Sequence, residues 1–219
     1  MRVKICGITR AGDARLAASL GADFLGFIHF APSPRHLDLA AARALAPSLP
    51  TGPERVGVFV DAPYDTIASM VDALDLDWVQ LHGSESPLGA ARIRDGLGVR
   101  VIKAFGIAGP DDFAPVADYA PMVDAYLFDA KPRAGDALPG GNARSFSWSL
   151  LHDRHFDRPW LLAGGLNGDN AARAVQESGA AALDISSGVE VRGGVKDPDR
   201  LTRFLSLARQ LDTAENTTP

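Results

Sequence analysis

The sequence of 219 residues contains one cysteine, so no internal disulfide can form. Its five histidines, at positions 29, 36, 82, 152 and 155, are scattered and share no zinc-ligand spacing with Cys6. Neither a structural metal nor an oxidising compartment is implied. No apolar run approaches the roughly 20 residues of a membrane span, and the start lacks the basic segment and apolar run of a signal peptide. The expectation is a cytoplasmic protein. Positive charge is also short: 22 Lys and Arg against 27 Asp and Glu leave a net charge of -5, a field that repels nucleic acid and anionic membranes. An anionic ligand would need local groups to hold it.

What the chain does have is 46% hydrophobic residues, ample for one sizeable core, arranged as a repeated alternation. Eight apolar runs bounded by turn residues read as strands: 2–6, 23–29, 55–61, 77–82, 100–105, 125–130, 159–164 and 182–186. Segments of helical spacing lie between them, with only the short SFSWSLL (145–151) in the sixth gap. Asp13, Asp38, Ser86, Asp111 and Asp197 stand near helix starts, and Gly21, Gly96 and Gly179 near ends. Alternation at a period of about 25 residues implies parallel strands with right-handed crossovers, and eight of them close a barrel. An open doubly wound sheet is the competing architecture, but CGITRAG after the first strand does not match the dinucleotide fingerprint. The expected fold is a single-domain α/β (β/α)8 TIM barrel over residues 1–211, with a short sixth helix; the polar stretch 212–219 is expected to fray.

In such a barrel alternate side chains face the interior, and the carboxyl ends of the strands build the active face. Parity then aims Lys4, Cys6, Gln80 and His82 inward, and Asp61, Lys103, Asp129 and Ser186 toward the mouth. Each has a plainer reading: Cys6 as a small core residue, His82 as a hydrogen-bonded structural histidine, Asp61 as a helix cap, Lys4 and Lys103 as partners in an internal salt-bridge network. Asp129 ends a strand and opens the longest irregular stretch, AKPRAGDALPGGNARS, and long loops in compact domains tend to bind or cover ligands. Glycine pairs and serines after strands seven (LAGGLNGDN) and eight (LDISSGVE) suggest a phosphate site, where barrels commonly bind that group, against the plainer reading of ordinary tight turns. Arg35, in the proline-stiffened APSPRHLD, can clamp a carboxylate or remain a solvated surface group.

Taken together, KICGIT (4–9), GADFLGF (21–27), SPR (33–35), RVGVFV (55–60), QLHG (80–83), IKAF (102–105), LFDAK (127–131), PGG (139–141), LAGGLN (162–167), DISSGVE (184–190) and GVKD (194–197) resemble the phosphoribosylanthranilate isomerase family of tryptophan biosynthesis. They cover nearly the whole chain in family order. The resemblance implies an Amadori rearrangement of N-(5'-phosphoribosyl)anthranilate to 1-(2-carboxyphenylamino)-1-deoxyribulose 5-phosphate, without a cofactor. It makes Cys6 the general base, Asp129 the general acid and Arg35 the holder of the anthranilate carboxylate. Gly164, Gly165, Ser186, Ser187 and Gly188 would hold the phosphate, with Asp184 at the sugar and Lys4, His82 and Lys103 in support. His29, Phe30 and Ala31, and Asn142 with Ala143, depart from the usual family pattern.

The chemistry suits those residues. Ring opening needs a proton delivered to the ribose ring oxygen, and double-bond migration needs one removed from C2', so an acid and a base must flank the sugar. A free thiol titrates near ~8.5, and positive potential from Lys4 and Lys103 is expected to favour its thiolate. Indole-glycerol-phosphate synthase would need an extra amino-terminal segment, the histidine-pathway aminoaldose isomerase uses two aspartates, and a non-catalytic sugar-phosphate barrel needs no Cys6 and Asp129 together. The expected partner is a small molecule bearing phosphate and carboxylate, bound by a monomer or homodimer that engages neither nucleic acid nor membrane.

Overall fold

The computed structural model describes residues 1–132 and 145–215. Its backbone closes eight parallel strands into a ring in which each lies beside its sequence neighbour and the eighth beside the first. They are β1 (Arg2–Cys6), β2 (Phe24–His29), β3 (Glu54–Phe59), β4 (Trp78–Leu81), β5 (Arg100–Ile107), β6 (Ala125–Ala130), β7 (Trp160–Leu162) and β8 (Ala182–Ile185). Every apolar run read as a strand is one, with its ends within two residues of expectation.

The helices are α1 (Ala11–Ser19), α2 (Leu39–Leu45), α3 (Tyr64–Leu74), α4 (Pro87–Leu97), α5 (Val116–Tyr119), α6 (Ala171–Ser178) and α7 (Pro198–Glu215). Asp38 and Ser86 cap α2 and α4 by accepting the backbone N–H of Ala41 (2.8 Å) and Gly89 (3.1 Å), and Asp197 accepts those of Asp199 and Arg200 at the start of α7. Asp13 instead lies inside α1 and accepts the backbone N–H of Lys196, while the turn after β5 is held by Asp112 rather than Asp111. Helix α4 runs through Gly96 and ends on Gly98. In the sixth crossover SFSWSLL forms one 3-10 turn, Trp148–Leu150, and Asn142 and Ala143 lie outside the described residues. Helix α7 extends to Glu215, into the stretch expected to fray.

Strand parity sorts the core into two layers. Phe24, Val56, Trp78, Ile102, Leu127, Leu161 and Ala182 form the cluster inside the ring, while Val3, Ile5, Leu25, Phe27, Val79, Leu81 and Leu183 pack outward with the helices. Lys4 and Cys6 therefore face inward as expected, both buried. Lys103 does not. In β5 the interior residues are Ile102 and Ala104, and Lys103 shares the outward phase of Val101 and Phe105. Its ammonium donates to the carbonyls of Leu81 (3.3 Å) and Gly83 (2.6 Å) and to Glu85 (3.0 Å), so it fixes the loop after β4 and leaves the thiol alone. Asp61 also misses the interior: unlike the buried Lys103 it is exposed, and it accepts hydrogen bonds from the backbone and hydroxyl of Ser84.

The amino end of the ring is stoppered. Arg2 lies 4.1 Å from the Phe24 ring centre and Arg100 4.3 Å from that of Trp78, and Glu54 accepts hydrogen bonds from both guanidiniums and from the Trp78 indole. A two-stranded antiparallel hairpin, β9 (Glu190–Arg192) and β10 (Val195–Lys196), follows β8. It escaped sequence reading because strands this short show no periodicity.

Candidate active site

The carboxyl end holds a cleft open to solvent. Cys6 enters it from β1 and Asp129 from β6, with Ile28, Phe30, Val58 and Val60 forming an apolar wall on the β2–β3 side. His29 turns away, its ring nitrogen Nδ1 2.9 Å from the Leu37 carbonyl, so Phe30 supplies the aromatic surface at this departure from the family pattern.

The thiol fits only because its neighbour on β2 is glycine: a Cβ on Gly26 would stand 2.9 Å from Cys6 Sγ. Burial, the largest influence, pushes the Cys6 thiol above its usual range; the charges of Lys4 and Lys196 pull it back and that of Asp184 opposes them. Lys4 keeps its charge inside the barrel: burial works against the ammonium, but Asp184, 2.8 Å away, and Cys6 outweigh it, and its pKa is raised. The expected cationic support at the thiol therefore comes from Lys4 and Lys196, with Lys103 absent from it.

Asp129 is buried, its Oδ1 accepting the Ala130 N–H and its Oδ2 3.5 Å from His82 Nε2. Gln80 Nε2 sits 2.9 Å from His82 Nδ1, which makes Nδ1 an acceptor and leaves the imidazole proton on the nitrogen facing Asp129. The Gln80 Oε1 is buried without a hydrogen-bond partner among the described residues. Rotating the amide by half a turn would let that oxygen accept from Nδ1–H, so Gln80 can serve either tautomer, and with it either protonation state of Asp129.

Arg35 is buried at the cleft wall. Its Nε donates to Glu190 Oε1 (2.9 Å) and Oε2 (3.1 Å) and its Nη2 to Glu190 Oε2 (2.8 Å), so one edge of the guanidinium is already taken. A ligand carboxylate would meet the edge that remains. Glu190 in turn accepts from Lys196 Nζ (2.8 Å), whose other contacts are the carbonyls of Ser186 (3.3 Å) and Cys6. Sequence reading missed Glu190 and Lys196, although GVE and GVKD stood within quoted motifs; what brings them to the site is the contact with Arg35, 155 residues away, which leaves no local pattern.

After β7, Gly164 and Gly165 take left-handed φ of 89° and 64°, a conformation that side chains resist, and both line the cleft. Ser186 and Ser187 line it from β8, and the buried Ser186 Oγ lacks a partner among the described residues, as a ligand-binding hydroxyl would. Gly188 stands behind them: a Cβ there would be 2.0 Å from the Leu166 carbonyl, so it lets the two loops close together. Asp184 reaches the cleft while bonded to Lys4.

A family model for N-(5'-phosphoribosyl)anthranilate isomerase matches residues 3–206. Among similar proteins, the isomerase of Cereibacter sphaeroides (strain ATCC 17029) is 48% identical over 95% of this chain and 99% of its own length, and that of Rhodospirillum rubrum is 45% identical over 95% and 97%. Among solved structures, the isomerase of Thermotoga maritima superposes with a TM-score of 0.85 at 34% identity, covering 96% of this chain and 99% of that one. A phosphoribosylanthranilate isomerase solved with reduced 1-(o-carboxyphenylamino)-1-deoxyribulose 5-phosphate superposes at 0.82, with the same identity and coverage. No helix among the described residues is long and apolar enough to cross a membrane. A barrel whose mouth joins a thiol, a carboxyl group and an oriented guanidinium, matched along nearly its full length, belongs to the N-(5'-phosphoribosyl)anthranilate isomerase family of tryptophan biosynthesis.

Proposed function

We propose that Cys6 and Asp129 are the proton-transfer pair of the isomerisation, with Arg35 at the anthranilate carboxylate and the loops after β7 and β8 at the phosphate. The reaction converts the aminoaldose N-(5'-phosphoribosyl)anthranilate to the aminoketose 1-(2-carboxyphenylamino)-1-deoxyribulose 5-phosphate. Protonation of the ring oxygen by Asp129 breaks its bond to C1' as the anthranilate nitrogen donates its electron pair, giving an open-chain protonated imine. Removal of the C2' proton by Cys6 then sends the C–H electrons into a C1'–C2' double bond and neutralises the nitrogen, and the resulting enol tautomerises to the ketone. With the Gln80 amide turned to accept from His82 Nδ1–H, His82 Nε2 accepts from a protonated Asp129, and with the amide as it stands Nε2–H donates to the carboxylate left after proton transfer. The enzyme works, on this reading, in the cytoplasm as a single barrel domain without a cofactor. Its assembly is monomeric or homodimeric; the T. maritima isomerase is described as dimeric, and light scattering decides the state here.

The observation that carries this reading is that Cys6 and Asp129 line one cleft together with Gly164, Gly165 and a Ser186 hydroxyl that has no partner among the described residues. The test follows loss of substrate fluorescence in wild type, Cys6→Ala and Asp129→Asn. Each variant should bind product as wild type does, with kcat lower by about 10² or more. Wild-type turnover in either one would remove that residue from the mechanism.

A further inference from the structure

Arg35 alone cannot attract a carboxylate, because its charge is already met. Glu190 takes two of its nitrogens at 2.8–3.1 Å and the pair is buried, so Arg35 and Glu190 together are neutral. The third member alters the sum. Lys196 Nζ, also buried, has three acceptors: the Glu190 carboxylate, the Ser186 carbonyl and the Cys6 carbonyl. Three acceptors match the three N–H bonds of an ammonium, whereas a neutral amine would turn a lone pair on one of them. Burial, the largest influence, lowers the Lys196 pKa and Arg35 adds to it, while Glu190 opposes them; with all three N–H bonds engaged the group stays an ammonium, and the trio carries one net positive charge in a water-poor wall.

Neighbouring charges leave that balance intact. Lys4 and Asp184 neutralise each other at 2.8 Å. Arg200, which donates to the Glu190 backbone carbonyl, lies 3.7 Å from Asp197. Asp13 accepts the Lys196 backbone N–H from a half-exposed position, where water screens it.

We propose that Lys196 is a specificity-determining residue: Glu190 orients the Arg35 guanidinium toward the cleft, and the Lys196 charge restores to that guanidinium the net attraction by which the enzyme selects a ring bearing a carboxylate. This rests on the reading that the occupant is the anthranilate sugar phosphate. Lys196 touches no part of the substrate and acts through Glu190 and Arg35.

Charge counting makes signed predictions that a merely structural role does not. The trio sums to +1 in wild type, 0 in Lys196→Met, +2 in Glu190→Gln and +1 in the double variant. The measurement is the ratio of calorimetric affinities for two probes: reduced 1-(o-carboxyphenylamino)-1-deoxyribulose 5-phosphate and the same compound without its carboxyl group. In wild type the carboxylated probe should bind more tightly. Lys196→Met should cut that preference about tenfold, Glu190→Gln should raise it, and the double variant should return it toward the wild-type value. A structural role would lower the preference in both single variants and lower it further in the double, and that result overturns the proposal. So does an unchanged ratio in Lys196→Met. If Lys196→Met does not fold, Glu190→Gln decides alone, since a fall in its ratio is fatal. Failure of wild type to bind either probe would instead reject the functional reading.

Discussion

At each end of the barrel one carboxylate lies between two cations, and the two trios differ chiefly in their access to water. At the amino end Glu54 joins Arg2 and Arg100, whose side chains are 53% and 45% exposed. At the carboxyl end Glu190 joins Arg35 and Lys196, at 7% and 1%. Both carboxyl groups titrate low for the same reason: burial, the largest influence, pushes them up, and hydrogen bonds from their cations outweigh it. The energetic consequences diverge. An exposed pair contributes about 0–1 kcal/mol, whereas removing one partner of a buried pair leaves an uncompensated charge and costs about 3–5 kcal/mol. The exposed trio closes a floor; the buried one is built into the wall of the cleft.

The strongest way to break this comparison is to delete both carboxylates in turn. Glu190→Ala strands two buried cations and should lose about 3–5 kcal/mol in urea denaturation. A loss no greater than that of Glu54→Ala would show the two ends to be energetically alike. Acid sharpens the contrast. Because the folded-state pKa of each glutamate is depressed, its stabilisation is fully present above the unfolded value near ~4.3 and lost as pH falls through the lower folded value. Repeating the acid titration in about 1 M salt, where screening acts within ~3 Å, should erase the Glu54 contribution and preserve that of Glu190. Equal salt sensitivity would contradict the burial argument.

A third effect reads the carboxyl end through its thiol. Thiolate absorbance of the free protein, unambiguous with one cysteine, should titrate above ~8.5 because burial raises Cys6. Lys196→Met should move it higher still, since that ammonium favours the thiolate, whereas Lys103→Met should leave it in place because Lys103 faces outward. A shift with Lys103→Met would restore the inward orientation the structure rejects. The smallest effect belongs to Glu54→Gln, expected within about 1 kcal/mol of wild type and without change in kcat.

The difference between the ends also explains what could be read from the chain. Eight strands, their order and the inward phase of Lys4, Cys6 and Asp129 followed from apolar periodicity, because each strand must bury one face toward the ring and the other toward helices. Lys103 was misplaced because a strand buried on both faces reads the same in either phase when the positions around the lysine are all apolar; in the fold it lies between Val101 and Phe105 of the outer layer, with Ile102 and Ala104 inside. The glycines and serines after β7 and β8 were legible as cleft-lining loops because their conformational role is local. Glu190 and Lys196 were not, since a buried ion pair spanning β9 and β10 and reaching Arg35 across 155 residues has no short-range signature.

Lys196 also binds the carbonyls of Cys6 and Ser186, at the ends of the first strand and the last. The seam at which the ring shuts is therefore fastened by a side chain that follows all eight barrel strands in the chain. A chain made only as far as Asp129 and both glycines would therefore pair its first strand with the second and still lack the clasp that ties the Cys6 carbonyl to the far side of the seam.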